Sequence, residues 1–296
     1  MVKPAVAALL AVAYVLIGLA TLTEFPLIWR DEPWYTQSAW NFVDQGSFAL
    51  PMFADFADFD EDNVVYGRTY LAAVAVAFEL GGLSPYTARL VSFISGLVAI
   101  SAVFGIGREL WSDRVGAIAA VFVALTPNFV LQSHDARPEL MVVAFWTTAF
   151  YLTLSGSRRH SGWRLFLAGL VAALTADVHL NGLIVAPALF LVLLLRRSSP
   201  RELVTFGIGA GLGALWWAFA HLWPDGALMR EQGGAWSMGL PLTELAESPL
   251  TVIVLEIARY VLVEPRAAVV ILLLAVLAGI VLLLRHRDRA LLTLLL

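Results

Sequence analysis

Long apolar blocks separated by short polar segments set the pattern of this chain. Apolar runs occupy residues 4–23, 86–107, 115–133, 140–155, 164–178, 183–195, 203–222 and 267–284. They are sized for helices that cross a bilayer, whose hydrocarbon core of ~30 Å takes about 20 helical residues. Two further stretches, 69–82 and 250–264, are shorter and carry Glu79, Glu256 and Arg259. A charge at mid-bilayer costs about 2.5–3.5 kcal/mol on insertion scales, so whether these two cross has to be decided separately.

Charge asymmetry decides it. If neither crosses, the loops 108–114, 157–164, 196–202 and 285–289 fall on one side together with Lys3. That side then holds twelve of the nineteen Lys and Arg but only four of the 23 acidic residues, which marks it as cytoplasmic. Letting 69–82 cross would put loop 108–114 outside and move 157–164 and 196–202 as well, against the rule. The pattern therefore predicts a cytoplasmic N-terminus, a helix over 69–82 lying on the outer surface, a long first extracytoplasmic loop 24–85, and an outer loop 223–266.

Composition fixes the class. The chain is 60% hydrophobic and 14% charged, with a mean hydropathy of +0.80. Soluble domains run nearer about 45–50% apolar and ~25% charged, so this is an all-α polytopic membrane protein. Its net charge of -4 argues against a nucleic-acid partner. With no cysteine there is neither a disulfide nor thiolate chemistry. The first apolar run exceeds the about 7–15 residues of a signal peptide, which predicts a retained anchor. The 296 residues suit one membrane-embedded module, 1–296, with about eight spanning helices.

Chemistry-bearing residues collect in the loops of the outer face. Just past the first span, Trp29-Arg30-Asp31-Glu32-Pro33-Trp34-Tyr35 puts two adjacent carboxylates where the chain first meets water. Pro33 suits the first turn of a helix and Gly46 the position just past its end, so Asp31 and Glu32 are expected at a helix N-terminus. The helix dipole favours an ionised carboxylate there, which suits a general base and equally a plain cap. Two short turns join this loop: His134-Asp135-Ala136-Arg137-Pro138-Glu139, and Asp177-Val178-His179-Leu180-Asn181-Gly182. Arg137 and Glu139 can pair with each other at a helix start, or the guanidinium can meet an anion. The run Asp55 to Asn63 alternates acids and aromatics without the spacing of a calcium loop, and is expected to be a solvated acidic surface.

Taken together, these stretches resemble the polytopic GT-C glycosyltransferases that use lipid-phosphate sugars, the protein O-mannosyltransferase and aminoarabinose transferase families and their prokaryotic relatives. The resemblance rests on Asp31-Glu32 with Tyr35 and Gly46, on Leu83-Ser84-Pro85-Tyr86-Thr87-Ala88-Arg89-Leu90, on Gly107-Arg108-Glu109-Leu110-Trp111 followed by Arg114, and on Ala136-Arg137-Pro138-Glu139. It implies a GT-C-like transmembrane helix bundle whose first extracytoplasmic loop carries interfacial helices and the chemistry. The donor would be a polyprenyl- or dolichyl-phosphate sugar, and the acceptor a protein, lipid or glycan at the outer face of a prokaryotic cell membrane. Asp31 would act as general base for an inverting single displacement, and Glu32 would orient the acceptor or support the base. Arg137, Glu139, Arg68, Arg89, His179 and Tyr35 would bind donor phosphate and substrate. The residues single out no definite cofactor and leave a divalent metal open, with His179, Glu32 and Asp135 as candidate ligands. Family members usually have more spans and often a soluble C-terminal domain, so the end at Ala290–Leu296, which reads as the start of another helix, is expected to mark a truncated or minimal form. Two other classes share some of these features: a lipid-phosphate carrier or transporter, whose polar residues would lie at mid-span, and a catalytically silent module that binds lipid phosphate.

Overall fold

The computed structural model describes residues 4–222, 226–228 and 231–232. Every regular element among them is helical. All but a few of these residues fall in one compact unit formed by residues 1–193 and 198–232. Residues 194–197 belong to a second unit, whose remainder lies outside the described residues.

In chain order the helices are α1 (Pro4–Thr21), α2 (Glu32–Gln45), α3 (Arg68–Gly81), α4 (Pro85–Leu110), α5 (Asp113–Ala124), α6 (Pro127–Ser133), α7 (Glu139–Arg158), α8 (Gly162–Val178), α9 (Val185–Leu195) and α10 (Pro200–Trp217). Three helices among the described residues are long and apolar enough to cross a membrane: Pro85–Leu110, Glu139–Arg158 and Pro200–Ala220. The chain is thus an all-α membrane protein. The expected span 267–284 and most of the expected loop 223–266 lie outside the described residues.

The run 115–133 was expected to form one span and instead breaks into α5 and α6, bent by 68°. Pro127 causes the break. Its ring removes a backbone donor and disfavours helical geometry at the residue before it, and Thr126 accordingly sits extended at φ -66°, ψ 124°. In the 69–82 region the helix is α3, fourteen residues long. At ~1.5 Å per residue it reaches about 21 Å, short of the ~30 Å hydrocarbon core. One face, Tyr70, Leu71, Val74, Ala75 and Phe78, is buried, while Val76, Glu79 and Leu80 are exposed.

That buried face docks the first loop onto the helical bundle. Tyr35 and Ala39 of α2, Phe48 from the loop, Ala88 of α4, Ala136 and Met141 near the start of α7, and Val178 at the end of α8 complete the same core. A second core joins α7, α8, α9 and α10 through Ala149, Leu165, Ala168, Leu189 and Phe206. There Gly169 lies against the Phe206 carbonyl and Gly209 against the Phe166 carbonyl, so a Cβ at either would collide with backbone. Small residues at a helix crossing allow this close approach where lipid offers no hydrophobic drive to pack helices.

Charges sit only near the ends of the two long helices α4 and α7. On α4, Arg89 lies near the start, and Arg108 and Glu109 near the end. On α7, Glu139 opens the helix and Arg158 closes it. At the basic end Glu109 is buried against Arg159 at 2.6 Å, and His160 meets Glu202 at 3.0 Å.

Candidate active site

The site is built where the first loop, the turn before α7 and the turn after α8 converge. Within it Glu32 is the most heavily bonded group. Its carboxylate accepts a two-point fork from Arg89, Nε to Oε2 at 2.9 Å and Nη2 to Oε1 at 2.7 Å, and two backbone N–H bonds, from Trp29 at 2.8 Å and Ala136 at 3.0 Å. Burial alone would raise its pKa; Arg89 and the two amides outweigh that and hold the carboxyl below its usual range. Arg89 is only 1% exposed, and its Nη1 donates to the carbonyls of Leu22 and Pro26, both at 3.0 Å. The sequence resemblance grouped Arg89 with phosphate contacts; the folded chain spends it on closing the first loop.

Asp31 is placed differently. It occupies the N-cap position of α2 but makes no capping hydrogen bond. Pro33 sits in the first turn, and Gly46 takes the left-handed conformation at φ 78° that ends the helix. The Asp31 side chain is 18% exposed and lies 3.4 Å from Arg137 Nη1 and 3.6 Å from the exposed Arg30. Arg137 also meets Glu139, Nη2 to Oε1 at 2.5 Å, so one guanidinium bridges two carboxylates. The Arg137 Nε and Glu139 Oε2 atoms are buried without a hydrogen-bond partner among the described residues.

Beneath this bridge lies Asp135, 7% exposed, its Oδ1 likewise without a hydrogen-bond partner. Burial first, then the neighbouring Glu32 carboxylate, push Asp135 up to about 7, against the pull of Arg137 and Arg89. Tyr35 packs edge-on against Tyr66 and Tyr70, with ring centroids 4.8 and 5.7 Å away. Burial drives the pKa of both Tyr35 and Tyr66 upward, which keeps their phenols as neutral donors. Tyr70 reaches Ser92 at 3.2 Å, and Ser92 donates to the Arg137 carbonyl at 2.9 Å, fixing the backbone that presents Arg137.

The turn after α8 closes the other side. Asp177 accepts from the Thr69 hydroxyl, and Gly67 lies so close to the Asp177 and Val178 carbonyls that no Cβ would fit. His179 accepts at Nδ1 from the Asn181 N–H at 3.2 Å, which leaves the ring proton on Nε2 in the neutral form. Burial lowers the His179 pKa, Arg137 adds to the lowering, and Glu139 opposes it, so the neutral form prevails at pH 7. Arg68 is drawn to Asp62 at 2.8 Å. Among the described residues no three His, Asp or Glu side chains gather in a metal-binding arrangement.

Sequence reasoning brought Asp31, Glu32, Arg137 and Glu139 to one place but missed the Tyr66–Tyr70–Ser92 support and the burial of Asp135. One signal for the Arg89 fork was available. A cation near the N-terminus of α4 opposes the helix dipole, and so calls for a carboxylate from another segment.

Residues 69–223, more than half of the chain, match the family model described as dolichyl-phosphate-mannose-protein mannosyltransferase. The chain belongs to this family. It is therefore a GT-C glycosyltransferase of the mannosyltransferase type, dependent on a lipid-phosphate sugar. The matched segment contains Arg89, Asp135, Arg137, Glu139 and His179, while Asp31, Glu32, Tyr35 and Arg68 precede it. No curated protein matches the chain.

Proposed function

We propose that the whole chain is one membrane module that transfers a sugar from a polyprenyl- or dolichyl-phosphate donor to an acceptor hydroxyl on the extracytoplasmic face. Asp31 is the general base. The observation that carries this is the contrast within the acidic pair: Glu32 is buried and fully bonded, whereas Asp31 is half-buried with 18% of its side chain exposed, makes no capping bond and is held by Arg137. The acceptor O–H gives its proton to Asp31 as its oxygen bonds to the anomeric carbon. The bond from that carbon to the phosphate oxygen breaks, and the lipid phosphate leaves with the electron pair, inverting the anomeric centre. Arg137 and the His179 Nε2–H stand closest in chemistry to what a departing phosphate needs: a planar two-point donor and a neutral N–H donor. Glu32 holds the base in place, and Glu139 and Tyr35 set the position and polarity of Arg137. An apolar cavity of about 430 Å³ between α8, α9 and α10 begins at Ala176 and Gly182, beside the His179 turn, and suits the donor's lipid chain.

The testing experiment measures transfer from radiolabelled polyprenyl-phosphate mannose in membranes. Asp31→Asn keeps size and removes basicity, so transfer falls by about 10²–10⁴-fold, the usual worth of a general base. Near-parental transfer by this variant sinks the assignment.

A further inference from the structure

Between the end of α1 and Asp31 the chain runs Phe25-Pro26-Leu27-Ile28-Trp29-Arg30. Leu27 is 89% exposed and Ile28 62%, and Phe25 and Trp29 are each about half exposed. Four large apolar side chains in five residues, facing away from the protein, are not how a loop is built to meet water. The segment is held firmly. The Pro26 carbonyl accepts from Arg89, and the Trp29 N–H donates to Glu32, so both ends are tied to the buried fork. Tyr86 and Leu83, at the start of α4 and one to two turns before Arg89, are exposed as well.

We infer that residues 25–29 form a wedge that dips into the bilayer surface beside the site, with lipid acyl chains as its occupant. Two features favour lipid over a protein partner. First, the wedge is separated from the end of α1 by only three residues and is bonded through the Pro26 carbonyl to Arg89 near the start of α4, a helix long and apolar enough to cross a membrane, which places it at the level where α4 leaves the hydrocarbon. Second, its order matches bilayer depth. After Phe25-Pro26 come aliphatic Leu27 and Ile28, the most exposed of the wedge, then Trp29, whose amphipathic ring prefers the interface, then Arg30, 85% exposed, at the level of the headgroup phosphates. Asp31 follows directly, so the depth of the wedge sets the height of that carboxylate above the hydrocarbon. The wedge stands on geometry alone and does not depend on the assignment of Asp31 as base.

The chain has no cysteine, so single probe sites can be introduced directly. Ile28→Cys, Arg30→Cys and Asp60→Cys are each labelled with an environment-sensitive fluorophore and reconstituted in phosphatidylcholine vesicles. Asp60 lies on the exposed acidic loop and serves as the aqueous reference. The expected result is a blue-shifted emission at position 28 that is lost with an acyl-chain nitroxide lipid and kept with iodide. Position 30 should respond to a headgroup nitroxide, and position 60 to iodide alone. Iodide quenching at position 28 without nitroxide quenching overturns the proposal in favour of water. Protection from both quenchers overturns it in favour of cover by another part of the chain.

Discussion

Glu32 and Arg89 close on each other as a two-point fork, 2.7 and 2.9 Å, across 57 residues of sequence. Because both are buried, removing either strands a charge in a low-dielectric site, which costs about 3–5 kcal/mol. Glu32→Gln and Arg89→Ala should each lower the unfolding midpoint in detergent well below that of the parent. Arg89→Lys should not rescue it, since an ammonium cannot reproduce the fork and the two carbonyl bonds together. Asp31→Asn should leave the midpoint unchanged. The two halves of the acidic pair thus separate into fold and chemistry in one thermal-melt series.

Asp135 gives a pH signature. Its pKa rises from 3.8 to about 7 on folding, so the folded state holds a proton that the unfolded chain has already lost between those values. Its contribution to stability is therefore fully present below about pH 4, declines as pH rises, and is gone above about pH 7. Asp135→Asn mimics the protonated acid at every pH. The gap in unfolding midpoint between the variant and the parent should widen in the variant's favour from pH 5 to pH 8. A constant gap contradicts the assigned shift.

Arg137→Lys keeps the charge and loses the planar donor pair. If this residue meets the lipid phosphate, the variant raises the apparent KM for the donor, and any additional fall in kcat reports loss of leaving-group stabilisation. Arg137→Ala should be worse on both counts. Unchanged donor binding in the two variants would restrict Arg137 to bridging Asp31 and Glu139.

Ser112 caps α5 in the short connection after the basic end of α4. A thiol introduced by Ser112→Cys should react with an impermeant maleimide only after the membrane is opened. Labelling in intact cells would reverse the orientation derived from the distribution of Arg and Lys.

What was legible in the sequence followed from length and period. Apolar blocks near bilayer length became α4, α7 and α10, and Pro33 and Gly46 bounded α2 as their backbone preferences require. The kink at Pro127 is as local in origin, since the proline ring breaks a helix whatever the apolarity of the block around it. Roles within the site were less legible because they depend on burial. Asp31 and Glu32 are neighbours with the same chemistry, and only packing against Arg89 and Ala136 distinguishes them. The acidic loop 55–63 shows the same limit: Asp55, Asp58, Asp60 and Glu61 are exposed as a solvated acidic surface requires, but the full burial of Phe59 among them, stacked on Phe56, depends on packing.

The way Glu32 is satisfied also has a bearing on biosynthesis. Of its four bonds only that from the Trp29 N–H is local; the Arg89 fork and the Ala136 N–H lie 57 and 104 residues downstream, so the acidic pair emerges long before most of its partners exist. A nascent chain with only its first anchor in the membrane carries an open loop whose carboxylates are hydrated and mobile. Delivery of α4 supplies the cation, and delivery of the turn before α7 supplies the last amide. The site is thus locked by α4 and the segments that follow it rather than by the loop that bears it, and a ribosome stalled before residue 136 would hold a membrane-bound but unassembled enzyme.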